Sequence, residues 1–561
     1  RPEVKDLLSL ASLLVDPRAM GLVRVACMPG LQMSLEDVAT IQSTLRAERM
    51  PPLGFLQAQI PGLSSSAQGT LKVLAALFSG LQPTGTAWRV LAAIVLDRTR
   101  IAADIAAAPT IGDRARGIAI WQFLNFVRVQ PAAAGLPVSR LLERVRRLLR
   151  LGDDRDLRQL PAAAQGIDAV RLMTIHGAKG LEFRAVHIPG LNQDTLPGNR
   201  QRAPACPPPE GMVEGASGSS EEYRESSRLE ERECLFYVAL SRAMDRLVLY
   251  AAAAKKSAAK KSGTARKLSE DYLNRLGPGL DRATVTPARQ LPAAAEDAPL
   301  ELRVQGPLRF DAHQVEMFAR CPRRFFYTHV LQTGGRRTAT PFMQMHDAVR
   351  KLYKEIVKGN LSSTGTQLVT DVSQALNEGG LGEHGYFDHY RDFAVAMIEF
   401  FRSTRKGLQP RMPQALHVNY GVEEIVVTPD DVLVAGDGQI TLRKVSTGHS
   451  RSEDTKSIGA AAFLTAAAEA FPGAAVELVY LADQTTMPLS LKGGAIETQR
   501  RHMESHLQSI RAGEFPAEPS VFSCPNCPAL FICGPVPGGV LDVRLECRPG
   551  PAEAAAPIGT A

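Results

Sequence analysis

No apolar run in this 561-residue chain approaches the eighteen residues that a membrane-crossing helix requires. The opening, Arg1-Pro2-Glu3-Val4-Lys5-Asp6, is no secretory signal, so a cytoplasmic protein without a membrane partner is expected. Cysteine is sparse: eight residues over this length do not make the dense framework of a secreted disulfide scaffold. No internal repeat is visible, and nowhere does the pattern G-x-x-x-x-G-K-[ST] occur, the loop that cradles nucleotide phosphates in many proteins. Methionine is missing from position 1, where Arg1 stands, which fits a fragment or a processed chain.

What is present is ordinary in bulk and specific in places. An apolar fraction of 45% and a charged fraction of 22% are those of a globular protein, and the length suggests three or four domains. The net charge of +7 is compatible with a polyanionic partner without demanding one. Residues 1 to about 165 read as helices. Glu3 to Val15 carries apolar residues at helical spacing and stops at Asp16-Pro17, and Ser34-Leu35-Glu36-Asp37 opens another helix with a capping serine. Leu141 to Leu151 is strongly basic on one side, read as a solvated face with a DNA contact as the alternative. A Pro- and Gly/Ser-rich excursion lies between 200 and 220, with Cys206 as an incidental thiol. From 253 to 300 runs a linker holding Lys255, Lys256, Lys260, Lys261, Arg266 and Lys267, read as solvated, with a basic arm on DNA as the alternative.

Two motifs carry the chemistry of the first half. Arg171-Leu-Met-Thr-Ile-His-Gly-Ala-Lys-Gly-Leu-Glu-Phe183 reads as a short apolar strand entering a Gly-punctuated turn. Some fifty residues later, Glu230 to Ala243 reads as an amphipathic helix ending in Val-Ala-Leu-Ser and the lone Arg242. In this order and spacing they resemble the fifth and sixth motifs of UvrD/Rep-like superfamily 1 DNA helicases. The resemblance implies that Thr174, His176 and Lys179 contact single-stranded DNA, that Glu182 meets the nucleotide sugar, and that Arg242 reaches the γ-phosphate. A hydroxyl and an imidazole on a tight turn bond phosphate without reading sequence, and an arginine neutralises charge on a transferring phosphoryl group. Arg1 to Leu8 and Leu22 to Pro29 resemble the family where its second motor lobe begins. The lobe bearing the phosphate loop is missing, so the chain alone is expected not to hydrolyse ATP, with ATP and Mg²⁺ bound only once that lobe is supplied.

The second half carries Cys524-x₂-Cys527-x₅-Cys533, preceded about two hundred residues earlier by Cys321. One cysteine before a domain and three after it resembles the iron–sulfur staple of AddB-type, RecB-like nucleases; four thiolates suit a 4Fe–4S cluster, with zinc as the alternative. Cys27, Cys234 and Cys547 are read as packed or free. A working nuclease of that family needs a His, an Asp, an Asp-x-Lys and a nearby Gln. Here His346 matches the histidine and Asp431 the first aspartate, while Lys444 falls at the metal-binding aspartate, Ser446 at the lysine and Gly459 near the glutamine. A cation in place of a carboxylate repels magnesium, so a nuclease fold without nuclease chemistry is expected, with His346 a leftover or packed histidine.

The expected fold class is α/β: a RecA-like second helicase lobe with a helical insertion, then a restriction-endonuclease-like domain. Residues 1–25 would open the lobe, 26–165 form the insertion, 166–252 complete it, 253–300 link, 301–535 form the nuclease-fold domain and 536–561 a flexible tail. The function the resemblance implies is that of the C-terminal part of an ATP-dependent 3′–5′ DNA helicase of repair or recombination, acting on single-stranded or partly duplex DNA. A helicase–nuclease partner subunit is a further expectation. The rival readings are a helicase–nuclease with a live single-strand exonuclease and a non-enzymatic DNA-binding scaffold subunit.

Overall fold

The computed structural model describes residues 1–130, 137–153, 170–192, 196, 209, 212, 220–251, 270–281, 283, 300–333, 340–521 and 523–545, the side chains of 111, 220–229, 270, 271 and 278 excepted. The chain divides into two compact units: residues 1–165 together with 294–561, and residues 166–293.

The larger unit begins with helices α1 (Pro2–Ser12), α2 (Leu22–Val25), α3 (Leu35–Glu48), α4 (Ser65–Phe78), α5 (Ala87–Ala92), α6 (Ile101–Ala106), α7 (Ile111–Arg128) and α8 (Val138–Leu151). Local chemistry sets their ends. The Ser34 hydroxyl accepts from the Asp37 amide 3.1 Å away, the cap the sequence announces. Gly152, at φ +67°, closes α8 in the left-handed conformation that glycine adopts at no cost. Leu7, Leu10, Leu14, Val23 and Val25 are buried in this unit's core. Residues 1–25 are thus two helices of the larger unit, not the opening of the lobe built by 166–252. Their apolar stripe is already spent on this core.

In the smaller unit, β1 (Phe183–Pro189) and β2 (Ala243–Tyr250) pair in parallel, joined through α9 (Ser220–Leu240), and α10 (Glu270–Arg275) follows. Tyr272 of α10 stacks on Phe236 of α9 at 4.6 Å, so part of the expected linker is ordered; Lys255 to Lys267 lies outside the described residues, as do Cys206 and Cys547. The expected strand over Arg171–Thr174 is not in a ladder: Val170 and Leu172 are 93% and 97% exposed. A parallel strand needs neighbours on its edge and cover on its faces, and among the described residues of this unit only β1 and β2 pair.

The larger unit resumes with β3 (Leu300–Val304), β4 (Arg309–Asp311), α11 (Ala312–Arg320), α12 (Pro322–Phe325), α13 (Pro341–Val357), α14 (Gly365–Glu378) and α15 (Phe387–Ser403). There follow β5 (Gln409–Arg411), β6 (Leu416–Tyr420), β7 (Glu423–Val427), β8 (Asp431–Val434), β9 (Ile440–Ser446), α16 (Ile458–Ala470), β10 (Ala475–Tyr480), β11 (Thr485–Pro488), α17 (Gly493–Arg511) and β12 (Gly539–Val543). Five strands form a mixed sheet in the order β11-β10-β9-β8-β5, parallel only between β9 and β10. Helices α13, α14 and α15 share one core with Val479 and Leu481 of the β10 region. The expected flexible tail is corrected at its start: β12 pairs in parallel with β3, and the Val540 amide donates to Glu36 Oε1 at 2.6 Å. Leu541 and Leu545 are buried there, so apolar packing overrides a Pro- and Gly-rich composition.

Candidate functional site

The β8–β9 hairpin decides which carboxylate faces the nuclease-type groove. Successive side chains of a strand point to opposite faces, so Asp430 and Asp431 cannot share one environment. Asp430 faces a groove of about 1520 Å³ whose lining includes Lys444, Ser446, Glu316, Asp454 and Gly459. Its Oδ2 accepts from the Val445 amide at 3.0 Å and pairs with Lys444 Nζ at 3.5 Å. The Lys444 ammonium also donates to the Thr428 carbonyl at 2.9 Å, with its side chain 44% exposed.

Asp431 is elsewhere. Fully buried, its Oδ2 lies 3.1 Å from Arg443 Nη1 and 3.3 Å from Arg405 Nε, while Arg443 Nη2 donates to Thr404 Oγ1 at 2.7 Å. Burial pushes the Asp431 pKa up against the pull of Arg405 and Arg443, and pushes that of Arg443 down against the pull of Asp431 and Glu477. Asp430 and not the expected Asp431 therefore lines the groove from this hairpin, and Asp431 belongs to an internal ion cluster. Asp430 and Asp431 are adjacent, and strand parity against the fully buried Arg443 is the signal that separates them.

The other nuclease positions are filled in ways that disfavour metal. Lys444 puts an ammonium beside Asp430, and the Ser446 hydroxyl accepts from the Gly448 amide at 3.2 Å. The Gly459 amide donates to Glu316 Oε1 at 3.1 Å, and a Cβ at Gly459 would lie 2.4 Å from that oxygen. Glu316 thus fills the space of a glutamine side chain, a role nothing local in the sequence reveals. Asp454 accepts from the Arg451 amide at 3.1 Å and from the Tyr480 hydroxyl at 2.9 Å. His346 on α13 is 8% exposed, with the Phe342 ring edge-on at 4.3 Å and the Thr447 backbone beside it. Burial, then the nearby charges of Arg350 and His449, push its pKa down. It is absent from the groove lining, although its neighbour Thr447 is part of it.

Three cysteines of the expected centre lie in one knuckle, Cys524 to Cys533, and Cys321 interacts electrostatically with Cys527 and Cys533. Cys321 sits between α11 and α12, and Cys524 and Cys527 bracket a short turn in which the Cys527 amide donates to the Cys524 carbonyl at 2.9 Å. The Ser520 amide donates to Cys524 Sγ at 3.2 Å. Burial pushes the Cys527 and Cys533 thiols up; Cys321 and Cys533 add to this at Cys527, Cys321 and Cys524 at Cys533, while Arg324, Lys5 and Arg323 oppose it. An all-thiol donor set beside cations and amide donors suits a thiolate-bound metal in kind. Among the described residues, no three candidate ligands converge at metal-holding geometry.

In the smaller unit the two motifs meet. The Thr174 hydroxyl accepts from the Gly177 amide at 3.1 Å, and His176 opens a 3₁₀ turn that Gly180 leaves at φ +79°. Thr174, His176, Lys179 and Glu182 are all exposed on this turn. Arg242, sixty residues on, is brought back by the pairing of β1 with β2: its carbonyl accepts from the Phe183 amide at 2.9 Å. Its guanidinium donates to the carbonyls of Val238 and Leu181, at 3.0 and 3.1 Å, and to Ser241 Oγ at 2.9 Å. Leu181 adjoins Glu182, so the two nucleotide-site candidates share one edge of the lobe. Three of five guanidinium N–H donors are engaged, which leaves two for a ligand.

Comparison with known proteins agrees with both halves. Residues 139–254 match the UvrD-like helicase C-terminal domain, and residues 309–534 match the PD-(D/E)XK nuclease superfamily. DNA helicase II of Escherichia coli (strain K12) is 38% identical over 82 residues, 15% of this chain and 8% of that protein; the Salmonella typhimurium DNA helicase II is equally similar. ATP-dependent DNA helicase PcrA of Bacillus subtilis is 26% identical over 261 residues, 44% of this chain and 31% of its own length. The matches span less than a third of these relatives. The α/β class holds, with a helicase-type lobe and a nuclease-type domain in one chain.

Proposed function

We propose that this chain is the C-terminal part of an ATP-dependent DNA helicase or translocase moving 3′–5′ in DNA repair or recombination, carrying a nuclease-fold domain that no longer cuts. The observation that carries the motor half is Arg242, pinned by three hydrogen bonds beside Glu182 with two donors to spare. A lobe with a phosphate loop, absent from these 561 residues, closes the ATP site against Glu182 and Arg242, and Mg²⁺ enters with the nucleotide. Thr174, His176 and Lys179 offer their exposed polar groups to single-stranded DNA. No helix is long and apolar enough to cross a membrane among the described residues, and the reading places the protein in the cytoplasm, with a partner subunit as an open addition.

The nuclease half is read as inactive because Lys444 occupies the position of a metal ligand and pairs with Asp430. An ammonium there repels a divalent cation, and magnesium wants several oxygen ligands. The cysteine knuckle is read as a 4Fe–4S site, with zinc as its alternative. When bound, either metal supplies a cross-link between Cys321 and the 524–533 loop, closing a loop of about two hundred residues.

The test uses the polypeptide completed by its phosphate-loop lobe. Arg242→Ala is expected to lower the DNA-stimulated ATPase kcat by about 10³-fold or more, with KM for ATP little changed, as for an arginine acting on transferring phosphate. An unchanged kcat, or ATP turnover by the 561-residue chain alone, overturns the motor reading. Magnesium-dependent degradation of single-stranded DNA overturns the inactive-nuclease reading.

A further inference from the structure

We infer that the outward face of α8 is a docking ridge for the phosphate backbone of duplex DNA. Arg140, Arg144, Arg147 and Arg150 are exposed on this helix, and none forms an ion pair among the described residues. At about 100° and 1.5 Å per residue, the first three fall within some 60° of one another and all four span about 15 Å of axis. One carboxylate, Glu143, stands beside these four guanidiniums.

The structure separates this ridge from an ordinary solvated face and from a lipid-binding helix. Val138, Leu141 and Val145 on the opposite side are buried in the core, and the exposed leucines, Leu149 and Leu151, stand only at the end of α8, too few for a face that inserts into a membrane. Arg146, the remaining arginine of the run, turns inward: it donates to the carbonyls of Cys527 and Pro528 and lies 4.9 Å over the Phe531 ring. The helix is thereby fixed in rotation, and its other arginines are held outward at the cost of their mutual repulsion. Four exposed guanidiniums beside a single carboxylate make a local positive field complementary to a polyanion.

The side-chain inventory selects duplex over single strand. α8 bears no aromatic ring to stack a base and no Asn or Gln to read one. A rigid row of guanidiniums fits the regular phosphates of a duplex, which carries one charge per roughly 1.7 Å of axis. The contact is therefore independent of sequence and strongly dependent on salt. It goes beyond the motor reading, because it needs neither ATP nor the turn at Thr174 and His176.

The test is fluorescence anisotropy of the intact chain, without nucleotide, on a blunt duplex, on a single strand and on phosphatidylserine vesicles across a salt series. The triple variant Arg140→Ala/Arg144→Ala/Arg147→Ala is expected to lower the salt slope on duplex by about 3, near 0.9 per lost phosphate contact, and affinity at low salt by more than tenfold. Single-strand binding should change less than twofold, and the corresponding triple lysine variant should keep the parental slope, which separates charge from folding. An unchanged duplex slope, an equal loss on single strand, or a loss confined to vesicles each overturns the inference. A parent that binds single strand and not duplex also overturns it and leaves the motor reading standing, whereas the Arg242 experiment fails or succeeds independently of α8.

Discussion

Replacing Asp431 by alanine removes the carboxylate that two guanidiniums surround. Arg443, with a side chain 1% exposed, would keep only Glu477 at 3.5 Å and the Thr404 hydroxyl, and Arg405 would lose its carboxylate altogether. Breaking one partner out of a buried pair leaves an uncompensated charge in a low dielectric, which costs about 3–5 kcal/mol. That is a large share of the roughly 5–15 kcal/mol that holds a domain folded. The loss is read as a shift in urea midpoint, followed by far-UV circular dichroism, with the m-value as a check that the unfolded state is unchanged. The double variant Asp431→Leu/Arg443→Met removes both charges and should recover most of the loss, since apolar side chains of similar volume replace buried pairs at little or no cost. If Asp431 were a metal ligand facing the groove, its removal would relieve acidic crowding and leave stability unchanged without magnesium. A loss below about 1 kcal/mol, the scale of an exposed pair, refutes the internal-cluster argument.

Lys444→Asp combined with Ser446→Lys rebuilds an Asp-x-Lys beside Asp430, so magnesium binding by titration calorimetry should appear where the parent shows none; equal heats from both proteins would refute the placement of Asp430 in the groove. Gly459 is left alone in that variant, because a side chain there meets Glu316. His346→Leu replaces a buried imidazole that has no side-chain hydrogen bond, and thermal stability at about pH 7.5 should hold or rise. The His346 pKa is depressed in the folded state, so the unfolded chain binds its proton first as pH falls. Its contribution is therefore complete above about pH 6.5 and is lost on acidification through the lower folded value. His506, shifted the same way by burial, keeps part of that acid sensitivity in the His346→Leu variant, and a variant with the full parental slope refutes the assignment.

The sequence was most readable where chemistry is local. Ser34 caps α3 through a bond spanning three residues, and the turn from Thr174 to Glu182 folds on its own glycines. It was misleading where one residue of register decides a face. Asp430 and Asp431 are equivalent as letters, and only the pairing of Asp431 with Arg443 across the hairpin assigns one to the groove and the other to the interior. It was also misleading where composition stood in for packing. Gly539 to Val543 looked like frayed tail, yet its ladder partner β3 lies more than two hundred residues earlier, beyond any local window. The Arg171–Thr174 segment departs in the opposite sense: its apolar Leu172 and Met173 suggest a strand, yet Leu172 is 97% exposed and the segment pairs with no described strand.

The most consequential unreadable feature is how the first helices join the cysteine knuckle. The loop from Cys527 to Gly534 packs Ala529, Phe531 and Ile532 into the core, so its carbonyls need donors inside the protein. Lys5 donates to the Cys533 carbonyl at 2.9 Å, Arg24 to the same oxygen at 3.2 Å, Ser9 to Phe531 at 3.3 Å, and Arg146 to Cys527 and Pro528. These partners lie hundreds of residues upstream and belong to α1, α2 and α8, so no spacing rule connects them to the Cys-x₂-Cys-x₅-Cys pattern. They explain why residues 1–165 fold with the nuclease-type domain: charged donors supply in one step the polar partners of the knuckle and the contact between layers. The same clamp fixes the rotation of α8, so the loop from Cys527 to Gly534 also sets the direction in which Arg140, Arg144 and Arg147 point.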